Sequence, residues 1–468
     1  MLPSLTFLKR QLEGILRNKF EQGHQTSGYL AKLEQLPASY DAYLEFAHSL
    51  AAIPMRDNWS YYEPNDLEEI WRECDPARPL GQVGILNLKD SSKRVEAAFL
   101  ASVCGSMLGK PIEVNPSLSE LRQALTSVGE WPLNDYISEE MLHALDRRHW
   151  SWFETTRGRI RYAAPDDDIN YTLMGMIVLE QFGEGFTKRN LRDLWINHLP
   201  ISTTWGPERA ILLRSGISYL EHDRDIFNHS EIEAWPDFMV QDTELCGAAI
   251  RADAYGYACP GQPALAAELA WRDASFTHRR TGIYATMFIA AAIAVAQVLR
   301  DPIEIMSTAL QFVPRRSRFY EITQDCLQLV ANADNWLEAY QSINNKYANY
   351  FHCQVYQEVG TLINTFRFAD NVGDGICKQV MQGNDTDSFG ATVGSLLGVY
   401  FGSDGLETRW LKPFQDRIHT GLSNFHEQKL SRLAKRMGRL PELLHTGQHR
   451  IQPSELYVSE NTDFGLKI

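Results

Sequence analysis

Apolar residues recur at three- and four-residue spacing over most of the chain, and alternating strand-like patterns are scarce. The spacing predicts helices over 4–20 and 27–50, joined by a turn containing Gly, Gln and Ser. Residues 54–92 are mixed, with Pro64, Pro76 and Pro79 interrupting regularity. A longer helical pattern opens at Ser92 and runs to Leu108. Further helices are expected at 117–127, 136–146, 168–183, 188–197, 206–220, 228–236, 243–254, 263–273, 279–299, 302–310, 316–332, 334–345, 354–368, 374–382, 388–401 and 424–437. From Leu440 onward the periodicity fades, as in a tail wrapping the surface. The expected fold is all-α: an N-terminal helical extension over 1–90, a compact multi-helix domain over 91–440, and a tail over 441–468.

One expected helix is unusual. Gly390, Gly394, Gly398 and Gly402 recur every four residues, with Ala391 and Ser395 beside them. Glycine weakens a helix interior by roughly 1 kcal/mol relative to alanine. A face of small residues is compensated only if another backbone packs against it closely. This predicts a central buried helix.

Composition narrows the class. The 468 residues are 44% hydrophobic and 22% charged, which suits a globular protein with a sizeable core. Net charge is −14 and no long basic run occurs, so nucleic acid is not an expected partner. The nearest approach to a basic–aromatic patch, Arg147 to Arg161 with Trp150, Trp152 and Phe153, reads as an ordinary loop-and-helix surface. Seven widely spaced cysteines without a CxxC predict free thiols in a reducing compartment. The start MLPSLTFLKRQLEG shows no long apolar stretch before a cleavage site, and Ile283–Leu299 reads as a buried helix rather than a membrane span. A cytoplasmic protein is expected, without membrane insertion; its oligomeric state is not set by the sequence.

Two acidic runs carry the candidate chemistry: Asp166-Asp167-Asp168 in APDDDINYT, and Asp385-Thr386-Asp387-Ser388 in GNDTDSFGATVG. Crowded carboxylates repel, and burying them requires a compensating cation. Neither run contains sulfur or imidazole. Brought together, they form a hard-oxygen donor set suited to Mg²⁺, Mn²⁺ or Ca²⁺, and five carboxylates suggest two adjacent ions. Helix capping is the competing reading, with Asp168 before Ile169–Phe182 and Ser388 before Phe389–Phe401. The two roles are compatible.

Five segments together resemble the ADP-ribosylglycohydrolase family, the group that includes dinitrogenase-reductase-activating glycohydrolase. Ala97 to Glu113, AAFLASVCGSMLGKPIE, is similar to its opening helix and GDAxGxPxE turn. Pro165 to Met176, PDDDINYTLMGM, is similar to its TDDT segment. Ile250 to Pro263, Asp273 to Ala294 and Gly383 to Gly398 follow in family order, the last resembling GGDTDTxAAxxGxxxG. The resemblance spans roughly 93 to 405 and leaves 1–90 unaddressed. It implies an all-α fold with a binuclear Mg²⁺ or Mn²⁺ site at the base of a cleft. It also implies hydrolysis at C1″ of ADP-ribose, with an ADP-ribosylated protein or a smaller ribosyl compound as substrate.

By position, the resemblance assigns Asp166, Asp167, Asp168, Asp385, Asp387 and Ser388 as metal ligands. Glu113 would handle a metal-bound water, and Glu113 and Asp168 are the expected catalytic carboxylates. His278 would lie near the ribose, Arg251 would contact a diphosphate, and Gly282 and Tyr284 would border the ligand. Four positions depart from the pattern: Ser106 stands for Asp, Asp166 and Ile169 for the two threonines, and Thr281 for Asn. Metal-dependent phosphoester hydrolysis suits the same ligands. A non-catalytic ADP-ribose-binding or structural protein is the other alternative, motivated by Ser106 and Ile169.

Overall fold

The computed structural model describes residues 3–220 and 229–446. These residues form an all-α protein; backbone pairing of the β type is limited to isolated bridges.

The structure is organised around two helices, Leu88–Gly109 and Thr386–Phe401. The first is capped by Asn87, whose side chain accepts the Asp90 N–H at 3.2 Å, so it starts earlier than the expected Ser92. The pair touch backbone to backbone. A Cβ on Gly105 would lie 1.9 Å from the Gly390 carbonyl oxygen, one on Gly394 would lie 2.3 Å from that of Ala101, and one on Gly398 2.3 Å from Ala98 Cα. These pairings run in opposite senses, so the helices are antiparallel. The C-terminus of Leu88–Gly109 therefore meets the N-terminus of Thr386–Phe401. Leu88–Ile112 is long and apolar enough to cross a membrane, but 89% of its most apolar stretch is buried inside the protein. Thr281–Ala296, the core of the expected 279–299 helix, is buried at every position.

Around this pair, one continuous core extends from Ile70 and Cys74 to Leu443. It reaches back into the segment expected to be extension. A second, smaller core is formed by Leu12, Leu16, Leu33, Tyr43, Phe46, Ala47, Leu50 and Ile53. The expected 27–50 helix is two, Tyr29–Gln35 and Tyr40–Leu50, because Pro37 removes a donor between them. A short helix, Leu67–Glu73, interrupts the mixed segment. The helix expected at 424–437 is shorter, Leu430–Met437. Leu440–Thr446 is helical rather than tail, with Leu440 and Leu443 in the core. Residue 228 of the expected 228–236 helix and residues 447–468 of the expected tail lie outside the described residues.

Candidate metal site

Each acidic run begins a helix, Asp167–Phe182 or Thr386–Phe401. Asp166 is the N-cap of Asp167–Phe182, its Oδ1 accepting the Asp168 N–H at 3.1 Å. The cap thus falls two residues before the expected Asp168. The second helix starts at Thr386, so Ser388 lies inside it and Asp385 occupies the N-cap position. The turn before it uses left-handed backbone at Gly383 (φ 81°) and Asn384 (φ 58°). A Cβ on Gly383 would lie 2.1 Å from the Pro116 carbonyl oxygen, and Asn384 N–H donates to that same oxygen at 2.8 Å. Only glycine fits there.

Asp166, Asp168 and Asp387 each present a carboxylate oxygen within 4.8 Å of the others. All three are buried. Ser106, in the slot where the family pattern has Asp, donates its hydroxyl to Asp166 Oδ2 at 3.0 Å. Ser388 Oγ donates to Asp168 Oδ2 at 3.5 Å. Lys110, just past the first central helix, brings its Nζ to 2.7 Å from Asp387 Oδ2, 2.8 Å from Glu113 Oε2 and 3.3 Å from Asp166 Oδ2. The antiparallel pairing puts it there, and the positive end of the Thr386–Phe401 helix also favours the anions.

One ammonium, paired with Asp166, Asp387 and Glu113, sits in a cluster that also holds Asp167, Asp168 and Asp385. Burial opposes ionisation of Asp387, yet Lys110 outweighs it and holds that carboxyl down at about 2. Burial would lower the Lys110 pKa, but Asp166, Asp387 and Glu113 hold it well above the usual range. The other carboxyls are pushed the opposite way. Burial, then Asp387, raises Glu113 to about 10 and Asp385 to about 7; burial raises Asp167 to about 8. Burial, with Asp166 and Asp387 adding repulsion, raises Asp168 well above its normal value. Asp168 Oδ1 and Asp387 Oδ1 are buried without a hydrogen-bond partner. Orphaned acceptors in an over-acidic cluster fit a divalent cation, and the donor set is oxygen.

The cluster borders a cavity of about 680 Å³. Lys110, Glu113, Asp166, Asp167, Asp385 and Ser388 line it. Of the residues expected to bind substrate, only His278 faces this space. Its Nδ1 meets Thr277 Oγ1 at 2.7 Å and its Nε2 is buried without a partner. Burial, with Arg251 and Arg279 nearby, lowers its pKa well below normal, so it is neutral.

The structure corrects the other three. Arg251 is fully enclosed, its guanidinium engaged by Asp273, Glu208 (2.7 Å) and Thr277 (2.8 Å), which leaves no face for a diphosphate. Tyr284 donates to the Pro64 carbonyl at 2.5 Å, inside the core. Gly282 packs against His278 and the Thr243 carbonyl oxygen, where a Cβ would come within 3 Å. Residues that the sequence left unassigned do line the cavity: His149, Trp150, Trp205, Cys246, His352 and Cys353. Both cysteine sulfurs contact Asp385 Oδ2, at 3.3 and 3.4 Å, so the surroundings of Asp385 are not purely oxygen.

The sequence profile of the ADP-ribosylglycohydrolase family matches residues 87–448. A solved structure described as an ADP-ribosylglycohydrolase-related protein complex is 18% identical to this chain, with 75% of this chain and 99% of that chain aligned at a TM-score of 0.47. Comparison with curated proteins returns no match. On the extent of the profile match, which takes in both acidic runs and the helices that carry them, the chain belongs to the ADP-ribosylglycohydrolase family.

Proposed function

We propose that this protein hydrolyses the glycosidic bond between ADP-ribose, or a smaller ribosyl group, and an acceptor, with Mg²⁺ or Mn²⁺ as cofactor. The observation that carries the reading is the convergence of Asp166, Asp168 and Asp387 beside one ligand-sized cavity that Asp166, Asp167, Asp385 and Glu113 line, in a chain of this family. Asp166, Asp168 and Asp387 would hold one ion, and Asp167, Asp385 and Ser388 complete the donors for a second. Bound there, the ions supply positive charge that favours ionised water and binds sugar hydroxyls.

The remaining roles belong to the chain itself. Glu113 is the carboxylate that reaches the cavity from the Lys110 turn, with His149 Nε2 3.7 Å from its Oε2. Added positive charge lowers its pKa from its raised position, which makes it the acceptor for a proton from the attacking water. Neutral His278 offers Nε2 to a ribose hydroxyl. Trp150 and Trp205, both well exposed, present flat apolar faces to a nucleobase or the acceptor. A cytoplasmic setting belongs to the same proposal and is supported by seven free cysteines.

A second reading, a ribosyl-binding protein without turnover, is favoured by Lys110, whose ammonium already neutralises part of the cluster. Incubating the protein with Mg²⁺ or Mn²⁺ and a panel of ADP-ribosylated proteins and small ribosyl compounds separates the possibilities by product. Intact ADP-ribose or free ribose is expected. Inorganic phosphate or AMP marks phosphoester hydrolysis. Calorimetric binding with no product marks the non-catalytic protein.

A further inference from the structure

We propose that Cys246, Cys353 and Asp385, with His352 at the edge, form a site for a thiophilic divalent metal, Zn²⁺ in the cell, different in its ligands from the Asp166–Asp168–Asp387 triad. One donor atom from each of Cys246, Cys353 and Asp385 lies within 4.8 Å of the others, and both sulfurs contact the same carboxylate oxygen. His352, Glu358 and Asp385 form a second overlapping group, which makes Asp385 the hub. His352 Nδ1 is buried without a partner. Two sulfurs and one carboxylate are ligand types zinc takes, with metal–sulfur distances of about 2.3 Å and metal–oxygen distances of about 2.0–2.2 Å, and His352 lies in the overlapping group through Asp385.

The scaffold holds these donors in place. Cys246 opens the turn of helix Cys246–Arg251, and its N–H donates to the Cys353 carbonyl at 2.9 Å. Cys353 and Val355 both adopt left-handed backbone, φ 67° and 69°, which folds the loop back toward Asp385 before helix Tyr356–Phe368 begins. Glu358 accepts the N–H groups of Cys353 (3.0 Å), Val355 (3.0 Å) and Asp385 (3.3 Å). It is thus a positioning residue that fixes two ligand-bearing backbones. Cys246, His352, Cys353 and Asp385 all line the cavity, so an ion reaches them from solvent. Among the described residues no other cysteine lines it.

Binding displaces the two thiol protons, and the resulting thiolates with Asp385 place three negative charges on one dication. Thiolate donors select zinc over magnesium or manganese, so neighbouring cations in this cavity would differ in kind. The site shares Asp385 with the proposed hydrolytic centre. Its test uses no turnover, so its failure is distinguishable from failure of that reading.

Full-length reduced protein is titrated with Co²⁺, and sulfur-to-cobalt charge-transfer absorption is recorded; Zn²⁺ is then added. The expected result is an intense band that saturates at one ion per chain and is abolished by Zn²⁺. Cys246→Ser/Cys353→Ser should lose the band with its helical circular dichroism retained, and Asp385→Asn should weaken Co²⁺ affinity by about tenfold or more. If the double variant does not fold, each single serine substitution should still weaken the band. The proposal is overturned if cobalt binds the native protein without sulfur absorption, if no cobalt binds, or if the band is undiminished in the serine variants.

Discussion

Lys110 sets how much external charge the cluster requires. Its side chain is only 10% exposed and faces Asp166, Asp387 and Glu113. Removing one partner from a buried ion pair leaves the other charges uncompensated and destabilises by about 3–5 kcal/mol. Lys110→Met should therefore lower stability in chelator by about that amount, and the stabilisation gained on adding Mn²⁺ should exceed that of the native protein. Thermal melts with and without metal check this; equal gains in the two proteins would count against a cation role for Lys110.

Asp253 is a second residue-scale case. It is buried, accepts the Ser395 hydroxyl on Oδ2, and its Oδ1 is buried and unpartnered. Burial raises its pKa to about 7, the hydrogen bonds opposing. An unfolded aspartate titrates near 3.9. Between those values the folded protein holds a proton that the unfolded chain has released. Stability from this group is therefore full at low pH and is lost as pH rises toward about 7, by up to about 1.4 kcal/mol per pH unit. Asp253→Asn lacks this titration. Its stability relative to the native protein should climb across that window and level off above it, as read by denaturant unfolding at a series of pH values.

At the scale of elements, the site depends on how closely two helices approach. Gly394→Ala places a methyl 2.3 Å from the Ala101 carbonyl oxygen, a backbone atom that cannot swing away. A loss of about 1–3 kcal/mol is expected, with weakened metal binding, because separating the helices moves Asp387 from Lys110 and Asp166. Gly216→Ala, in helix Gly206–Leu220 with nothing within 4 Å, should instead be neutral or stabilise by up to about 1 kcal/mol. Denaturant unfolding of both variants tests the contrast.

The glycine repeat was legible in the sequence because its spacing matches a helix turn. Its partner was not, since Gly105 and Gly109 lie far away in the chain and only the fold pairs them with it. The fourth glycine does not belong to the packed face: Gly402, at φ 74°, ends the helix, and a Cβ there would make ordinary contact with the Arg94 side chain. The acidic runs were legible for a similar reason, being contiguous and set before apolar helices. Cys246, His352 and Cys353 were not, because their meeting at Asp385 depends on left-handed turns that no local pattern signals. Arg251 is expected at a diphosphate because a guanidinium fork suits one, and Tyr284 at the border of the ligand. Their partners, Asp273, Glu208 and the Pro64 carbonyl, appear only in three dimensions.

Across the whole molecule, the N-terminal segment is tied to the cavity wall. Asn18 accepts the Asp242 N–H at 2.6 Å, and Asp242 lines the cavity. Arg318 pairs with Glu63 at 2.8 Å and Glu244 at 2.6 Å, next to Leu245 on the same wall. Composition and periodicity gave the all-α class and the central buried helix, but they did not show the extension touching the site.

The central claim is that this cavity cleaves at the anomeric carbon rather than at phosphorus. The most direct measurement is hydrolysis of an ADP-ribosylated substrate in ¹⁸O-labelled water with Mg²⁺ or Mn²⁺, followed by mass spectrometry of the products, in the native protein and in Asp387→Asn. The account predicts intact ADP-ribose carrying the label on its terminal ribose under conditions that suppress exchange at the anomeric carbon, formed by the native protein and lost in Asp387→Asn. Label found in phosphate or AMP, or undiminished label in ADP-ribose from Asp387→Asn, would contradict it.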